Sequence, residues 1–133
     1  MSSIFTKIIN KEVVGQFVYE DDVCVVLMDK FPSINGQTLI IPRLEIDYVF
    51  NLPNDVYEHI FTVARKIAQA SDKAFKTKRS CLIVEGFEVP HVHIKIYPIT
   101  QTVKNLKQII ENKQTPTDVY LTKQADLIKK HLS

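Results

Sequence analysis

The chain contains 133 residues, of which 45% are hydrophobic and 24% are charged. These values are typical of a folded globular domain and exclude a disordered or collagen-like protein, so we expect a single domain over 1–133. The formal net charge of +2 is too close to zero for the basic surface that nucleic-acid binding normally requires. We therefore expect no nucleic-acid partner.

The cysteine content and the hydropathy of the chain indicate a cytoplasmic protein. Cys24 and Cys81 are the only cysteines, and they form no Cys-x-x-Cys pair, so the pattern favours neither a disulfide framework nor a cysteine-based metal site. No run of about 18 apolar residues occurs, which predicts that no segment spans a membrane. The first ten residues contain only a short apolar stretch without a cleavage site, so we do not expect export.

Short runs of apolar and β-branched residues in the first half predict three strands. Segments 16–19 and 23–28 flank the turn formers at 20–22, which is typical of a β-hairpin. Segment 38–42 is the third strand, and a loop containing Pro, Ser, Asn and Gly precedes it.

The hydrophobic period changes after Asn54, which we expect to be a helix N-cap. Apolar residues then recur at intervals of four and three, which places them on one face of a helix over about 55–76. These residues are Val56, Ile60, Val63, Ile67, Ala70 and Ala74. His59 on this helix and His131 near the C-terminus are interpreted as solvated.

The second half adds strands at 81–85 and 91–97, with a turn at 85–88, and helices near 101–113 and 118–132. Together these elements predict an α+β domain with a mainly antiparallel five-stranded sheet and one long helix. The core would cover about 3–98, and a C-terminal helical extension about 101–132. We assign no function to the extension.

The segment Pro90-His91-Val92-His93-Ile94-Lys95-Ile96-Tyr97-Pro98 contains the most informative pattern. Because side chains alternate along a strand, one face is expected to hold His91, His93, Lys95 and Tyr97. The intervening apolar residues would anchor that face to the core. The non-functional interpretation is an amphipathic strand whose polar face happens to hold two histidines.

Two chemistries compete for this histidine pair. A metal site would need a third ligand, and Lys95 is a poor one. The alternative is nucleophilic catalysis, in which a neutral imidazole attacks phosphorus and leaves a phosphoramidate intermediate. Lys95 would disfavour protonation of His93 and would attract phosphate oxygens.

Several segments, in this order, resemble the histidine triad (HIT) superfamily, especially its Hint-like branch of nucleotide hydrolases and transferases. The resemblance covers about residues 3–98. Its pieces are Ser3-Ile4-Phe5-Thr6-Lys7-Ile8-Ile9-Asn10-Lys11-Glu12, Val18-Tyr19-Glu20-Asp21-Asp22, Leu27-Met28-Asp29, Gly36-Gln37-Thr38-Leu39-Ile40-Ile41-Pro42-Arg43 and Val89-Pro90-His91-Val92-His93-Ile94.

The resemblance implies a HIT-like fold, a homodimer with paired sheets, and a cleft for a purine nucleotide. It makes His93 the nucleophile at the α-phosphorus, with His91 supporting it through hydrogen bonds. Asp29 would bind the ribose hydroxyls, although it is equally explained as a turn residue at a strand end. Leu27, Phe5 and Ile8 would line the base pocket.

The chain departs from the family pattern at several positions. Lys95 stands where the third triad histidine is expected, and Gln37 replaces a histidine after the loop glycine. The link before the triad is short, and its Glu88 would either repel phosphate or pair with Lys95. Relatives with structural zinc have Cys-x-x-Cys where this chain has Ser3 and Thr6, so we expect no metal, and we expect no cofactor.

The leading hypothesis is a nucleoside phosphoramidase or dinucleoside polyphosphate hydrolase that works through a nucleotidyl intermediate on His93. A second hypothesis is a catalytically weakened nucleotide-binding or protein-interaction module, because Lys95 and Gln37 are substituted. A third is a metal-dependent enzyme that uses His91 and His93.

Overall fold

The computed structural model describes residues 2–111 and 113–132. The chain begins with a short helix, α1 (Ile4–Ile9), followed by strands β1 (Phe17–Glu20), β2 (Cys24–Met28) and β3 (Thr38–Pro42). A 3-10 turn at Val49–Asn51 leads into the long helix α2 (Asn54–Phe75). The remaining elements are β4 (Arg79–Ile83), β5 (Ile94–Ile99), α3 (Leu106–Ile110) and α4 (Asp118–Lys129).

The five strands form one antiparallel sheet in the order β1-β2-β3-β5-β4. The α+β class and the five-stranded antiparallel sheet are therefore confirmed. The last strand in sequence, β5, lies between β3 and β4, so the segment that precedes it reaches the middle of the sheet. This placement brings the segment 91–93, which contains His91 and His93, next to the ends of β2 and β3.

The long helix covers one face of the sheet. Its apolar stripe is buried as the spacing predicted, and Ile60 and Ile67 are almost inaccessible to solvent. The stripe packs against Val26, Ile40 and Ile94 of the central strands. The helix starts one residue earlier than predicted, at Asn54, and Pro53 occupies the N-cap position. It ends at Phe75, and its C-cap residue Lys76 has a left-handed backbone conformation.

The opposite face of the sheet is covered by α1, a helix that the sequence did not predict. A helix of six residues shows too little periodicity to be recognised. Phe5 and Ile9 pack with Leu27 and Leu39 on this face. The N-cap of α1 is Ser3, whose hydroxyl accepts a hydrogen bond from the Thr6 N–H.

The second half of the chain differs from the prediction at several boundaries. The fourth strand was expected at 81–85 and covers Arg79–Ile83. The helix expected near 101–113 is only Leu106–Ile110, and Asn112 lies outside the described residues. The helix expected at 118–132 ends at Lys129, and it packs Leu121 and Ile128 into the core. Met1 and Ser133, the ends of the expected domain, also lie outside the described residues.

Among the described residues, none of the helices combines the length and the apolar content needed to cross a lipid bilayer.

Candidate active site

A cavity of about 580 Å³ opens on the face of the sheet that α1 partly covers. The floor of the cavity is formed by one row of residues that are paired across neighbouring strands. The side chains of this row line the cavity. The row consists of Leu27, Leu39, Lys95 and Ile83, in spatial order. The predicted residues that line the cavity are His93, Lys95, Asp29, Leu27, Gln37, Glu88, Phe5 and Ile8. His91 is not among its lining residues.

The imidazole of His93 lies at the cavity wall with only 5% of the residue exposed. Its Nδ1 is 2.8 Å from the main-chain carbonyl oxygen of His91. A carbonyl oxygen only accepts hydrogen bonds, so Nδ1 carries the proton. The lone pair is then on Nε2 of the neutral ring, and no described residue forms a hydrogen bond with that atom. This is the tautomer that a nucleophilic Nε2 requires.

The Phe5 ring meets the His93 ring edge-on, with centroids 4.8 Å apart and an interplanar angle of 67°. This contact restricts rotation of the imidazole. It also places an apolar surface beside the His93 ring. The helix α1 therefore contributes directly to the environment of His93.

The side chain of His91 is completely buried, which differs from the solvent-facing histidine pair of the amphipathic-strand interpretation. Its Nε2 donates to the carbonyl oxygen of Pro42 at 2.7 Å, and its Nδ1 lies 2.6 Å from the Ser3 hydroxyl. Burial lowers the pKa of His91, so the ring is neutral at neutral pH. His91 thus contributes its main-chain carbonyl to the site and uses its side chain as an anchor.

The strand predicted at 91–97 begins only at Ile94. Residues 91–93 are extended but unpaired, because the ladder with β3 starts at the pair Ile40 and Ile94. The predicted alternation nevertheless holds: Val92, Ile94 and Ile96 are in the core, whereas His93 and Lys95 line the cavity. The apolar side of the segment anchors it even where the ladder is absent.

Lys95 forms an ion pair with Glu85, which the sequence analysis did not identify as a site residue. The Lys95 Nζ to Glu85 Oε2 distance is 2.7 Å, and both side chains are about four-fifths buried. Burial alone would raise the pKa of Glu85, but the hydrogen bonds from Lys95 and the Phe87 N–H lower it overall. Glu88, the other candidate partner for Lys95, instead pairs with Lys113 at 3.1 Å on the exposed rim.

Asp29 and Gln37, the first and last residues of the loop between β2 and β3, are joined by a hydrogen bond. The Gln37 Nε2 donates to Asp29 Oδ2 at 2.6 Å, and the Phe31 N–H donates to Asp29 Oδ1 at 2.9 Å. The buried Gln37 also accepts from the Ser33 N–H through its Oε1. Its amide therefore stabilises the loop and orients the Asp29 carboxylate.

The glycine before Gln37 is required by close packing. Gly36 has a φ of +80°, and a Cβ at this position would lie 2.3 Å from the ring of Phe75. Because of the positive φ and the close approach of the Phe75 ring, another residue would fit at position 36 only if neighbouring atoms moved. The loop can therefore approach the end of α2 and place Gln37 beneath Asp29.

Leu27, Phe5 and Ile8 contribute apolar surface at one end of the cavity. The other end has apolar residues that the sequence analysis did not assign: Phe31, Phe87, Leu106 and Ile110. All four of these are more than half exposed. The C-terminal extension thus lines the candidate site through α3, which is anchored by the buried Ile109.

A second polar cluster, on the α2 side of the sheet, includes His59, which was interpreted as solvated. Its Nε2 is 2.6 Å from Asp21 Oδ2 and its side chain is 38% exposed, so His59 is partly solvated and is also paired with a carboxylate. Asp21, Cys24 and His59 lie close enough to be considered as metal ligands. The Asp21 carboxylate, however, already accepts hydrogen bonds from Tyr19, His59 and two main-chain N–H groups. This saturation favours a structural role.

Ser3 and Thr6 stand where relatives with structural zinc have cysteines, and their side chains do not suit zinc. The Thr6 hydroxyl donates to Glu45 at 2.6 Å, while the Ser3 hydroxyl contacts His91. Hydroxyl groups lack the thiolate character of cysteine ligands. The expectation of a metal-free protein remains a prediction.

Comparison with known proteins gives the family directly. The HIT domain matches residues 10–102, more than two thirds of the chain. The protein belongs to the HIT family. An uncharacterized HIT-like protein of Saccharolobus solfataricus is 30% identical over 123 residues, which cover 88% of each chain. The adenylylsulfatase HINT3 of Arabidopsis thaliana is 32% identical over 100 residues, which cover 71% of this chain and 51% of that protein.

The structural comparison extends the similarity beyond the HIT domain match. The crystal structure of a Hit-like protein from Bartonella henselae superposes with a TM-score of 0.90 at 26% identity, covering 98% of this chain and 96% of that one. The C-terminal helices are therefore within the shared fold. HIT family membership supports, in general terms, a nucleotide-binding hydrolase or transferase.

Proposed function

We propose that this HIT protein hydrolyses or transfers the nucleotidyl group of a purine nucleoside phosphoramidate or a dinucleoside polyphosphate. The observation that carries the proposal is the tautomer of His93. With Nδ1 donating to the His91 carbonyl, Nε2 presents a lone pair at the wall of a cavity large enough for a nucleotide.

In the first step, Nε2 forms a bond to the α-phosphorus and the bond from phosphorus to the leaving group breaks. The leaving group departs with the electron pair, an amine taking a proton from solvent and a phosphate leaving as the anion. Positive charge develops on the imidazole, and the hydrogen bond from Nδ1 to the His91 carbonyl stabilises it. Water then attacks phosphorus and loses a proton to solvent, and the bond from phosphorus to Nε2 breaks with its electron pair returning to nitrogen. The nucleoside monophosphate is released and neutral His93 is regenerated.

Lys95 stands, in this proposal, at the third triad position. Its ammonium lies on the cavity floor, next to His93 along the strand on the same face, where it can neutralise phosphate oxygens. The paired Glu85 keeps this cation in place but also reduces the positive potential of the site. Asp29 would accept hydrogen bonds from the ribose, and Leu27, Phe5 and Ile8 would contact the base.

The same ion pair favours a second candidate function. If Glu85 holds Lys95 away from phosphate, the protein binds a nucleotide without efficient turnover and acts as a binding or interaction module. The two functions share the cavity and differ in catalysis. Both can be tested with the same protein preparation.

The decisive experiment measures release of a chromogenic amine from an AMP phosphoramidate, together with melting curves in AMP. The proposed enzyme releases the amine and the His93→Ala variant does not, while the exposed His131→Ala variant behaves like wild type. Stabilisation by AMP of about 2.7 kcal/mol at 100 times its Kd, without amine release, would establish the binding module. Turnover that survives in His93→Ala would remove His93 from the mechanism.

A further inference from the structure

The N-terminal helix is tied to the histidine segment by a continuous set of hydrogen bonds. Glu45 Oε1 accepts from the Ser3 N–H at 2.8 Å and from the Thr6 hydroxyl at 2.6 Å. The Ser3 Oγ accepts from the Thr6 N–H at 3.1 Å and lies 2.6 Å from His91 Nδ1. These bonds connect the loop after β3, the start of α1 and the interior of the site.

The direction of each hydrogen bond follows from the available protons. His91 donates through Nε2 to Pro42, so in the neutral ring Nδ1 is an acceptor. The Ser3 hydroxyl has a single proton and two acceptors within reach, His91 Nδ1 at 2.6 Å and Thr6 Oγ1 at 3.4 Å. The shorter distance assigns this proton to His91, while the Thr6 proton goes to Glu45.

This anchoring matters because the sheet does not fix residues 91–93. The ladder between β3 and β5 begins at Ile94. The segment is held instead by two main-chain bonds, from the His91 N–H to Val89 and from the Val92 N–H to Ile46, and by the His91 ring. The ring is clamped at both nitrogens, by Ser3 on one side and by Pro42 on the other.

The clamped residue is also the one whose carbonyl selects the His93 tautomer. The two hydrogen bonds of the ring help to hold the His91 main chain, and with it the oxygen that accepts from His93 Nδ1. We propose that Ser3, held by Glu45, is a positioning residue that keeps the His91 carbonyl aligned with His93. This inference rests on the proposed function, and it extends the site to α1 and the loop after β3.

The role differs from that of an ordinary helix cap. As the N-cap, Ser3 needs only to accept from the Thr6 N–H, and glycine is tolerated at an N-cap position almost as well as serine. As a positioning residue, it must donate to His91. Ser3→Gly therefore removes the donor while it largely retains the start of the helix, and Ser3→Thr retains both functions.

The experiment compares Ser3→Gly, Ser3→Thr and the exposed control Ser2→Ala. For Ser3→Gly we expect kcat for the AMP phosphoramidate to fall about tenfold to a hundredfold with little change in KM, as is typical of a misplaced reacting group. Ser3→Thr should lie closer to wild type, and Ser2→Ala should match it. Wild-type kcat in Ser3→Gly would overturn the proposal.

A second readout does not depend on activity. ¹⁵N NMR of the histidine side chains distinguishes the two neutral tautomers, and we expect His93 in Ser3→Gly to lose its single Nδ1–H form. Glu45→Gln should shift the same signals in the same direction, whereas the exposed Glu58→Gln should not. If the protein has no phosphoramidase activity, the proposed function fails, and the spectra alone decide this inference. An unchanged His93 tautomer in Ser3→Gly would overturn it.

Discussion

Glu85 and Lys95 form an ion pair on the cavity floor, with Oε2 and Nζ 2.7 Å apart. The pairing places a carboxylate at a site that is proposed to bind phosphate, next to Lys95, which is two positions from the proposed nucleophile His93. The cation is therefore shared between an internal partner and the substrate. Because of this competition, we expect removal of the Glu85 charge and removal of the Lys95 charge to have opposite effects at the site.

Removal of the carboxylate should strengthen binding of an anionic ligand. In Glu85→Gln, Lys95 loses its negative partner and the potential in the cavity becomes more positive. We expect a lower Kd for AMP, measured by calorimetric titration, and a steeper loss of affinity with added salt. A higher Kd in Glu85→Gln would show that the pair itself forms the binding surface.

Removal of the cation should impair the chemical step. In Lys95→Gln, the phosphate oxygens lose a charged donor, for which about a hundredfold loss of kcat is typical. Steady-state release of amine from an AMP phosphoramidate measures this effect. Lys107→Gln on the exposed face of α3 is the matched control. Equal kcat in the two variants would contradict the role of Lys95.

The Asp29 carboxylate has remaining acceptor capacity after its bonds to Gln37 and Phe31, because each oxygen accepts more than one hydrogen bond. We expect Asp29→Asn to weaken binding of AMP by about tenfold or more, the effect of a lost charged hydrogen bond. Titration of the 2′,3′-dideoxy nucleotide tests the assignment. If Asp29 contacts the ribose hydroxyls, the substitution hardly affects this analogue, whereas an equal loss for both ligands would refute the contact.

Asp21 should control stability at acidic pH. Burial by itself raises its pKa, but hydrogen bonds from Tyr19, His59 and two main-chain N–H groups lower it below the ordinary value. A lowered folded-state pKa stabilises the fold above the unfolded value of about 3.9, and this contribution is lost as the pH falls through the folded-state value. The same interaction raises the pKa of Tyr19 to about 12.

The corresponding experiment is urea unfolding of wild type, Asp21→Asn and the adjacent exposed control Asp22→Asn. At pH 6 we expect Asp21→Asn to lower the free energy of unfolding by about 1–3 kcal/mol, because buried donors lose their charged acceptor. The difference should shrink below about pH 4, where the unfolded-state carboxyl becomes protonated. A difference that is constant between pH 6 and pH 3 would exclude Asp21 as its source.

The open edge of the sheet supports the proposed homodimer. Strand β4 is an edge strand, and its Leu82 is 44% exposed. Pairing of two β4 edges would remove unpaired main-chain groups and cover this side chain. We expect Leu82→Lys to halve the mass measured by light scattering, whereas Leu44→Lys, a similarly exposed leucine away from β4, should not. A monomeric wild type would contradict the proposal.

Local sequence was sufficient for the elements with a strong period. The apolar stripe was sufficient to predict that α2 is a helix, and the β-branched runs were sufficient to predict that β2 and β3 are strands. Each type of element buries residues at its own fixed interval along the chain. The alternation from Val92 to Ile96 likewise predicted which side of the segment faces the core. Helix α1 was missed because six residues contain too few periods.

The partners within the site depended on tertiary structure. Glu85 reaches Lys95 because β4 and β5 pair with Ile83 opposite Lys95, and no local pattern specifies that register. Ser3 and Pro42 bind the His91 ring from two distant parts of the chain, and Glu45, three residues after Pro42, holds Ser3. Each of these contacts joins residues more than forty positions apart, so only the packed fold determines the distance between them.

The sequence by itself determined the α+β class, the residue types available for phosphorus chemistry and the face on which His93 and Lys95 lie. These properties follow from periodicity and side-chain chemistry, which are local. The tertiary structure alone decided that His91 is buried and clamped, that His93 carries its proton on Nδ1 and that Lys95 is paired with Glu85. Hydrogen-bond direction and charge pairing depend on atoms brought together by folding, so they cannot be obtained from spacing along the chain.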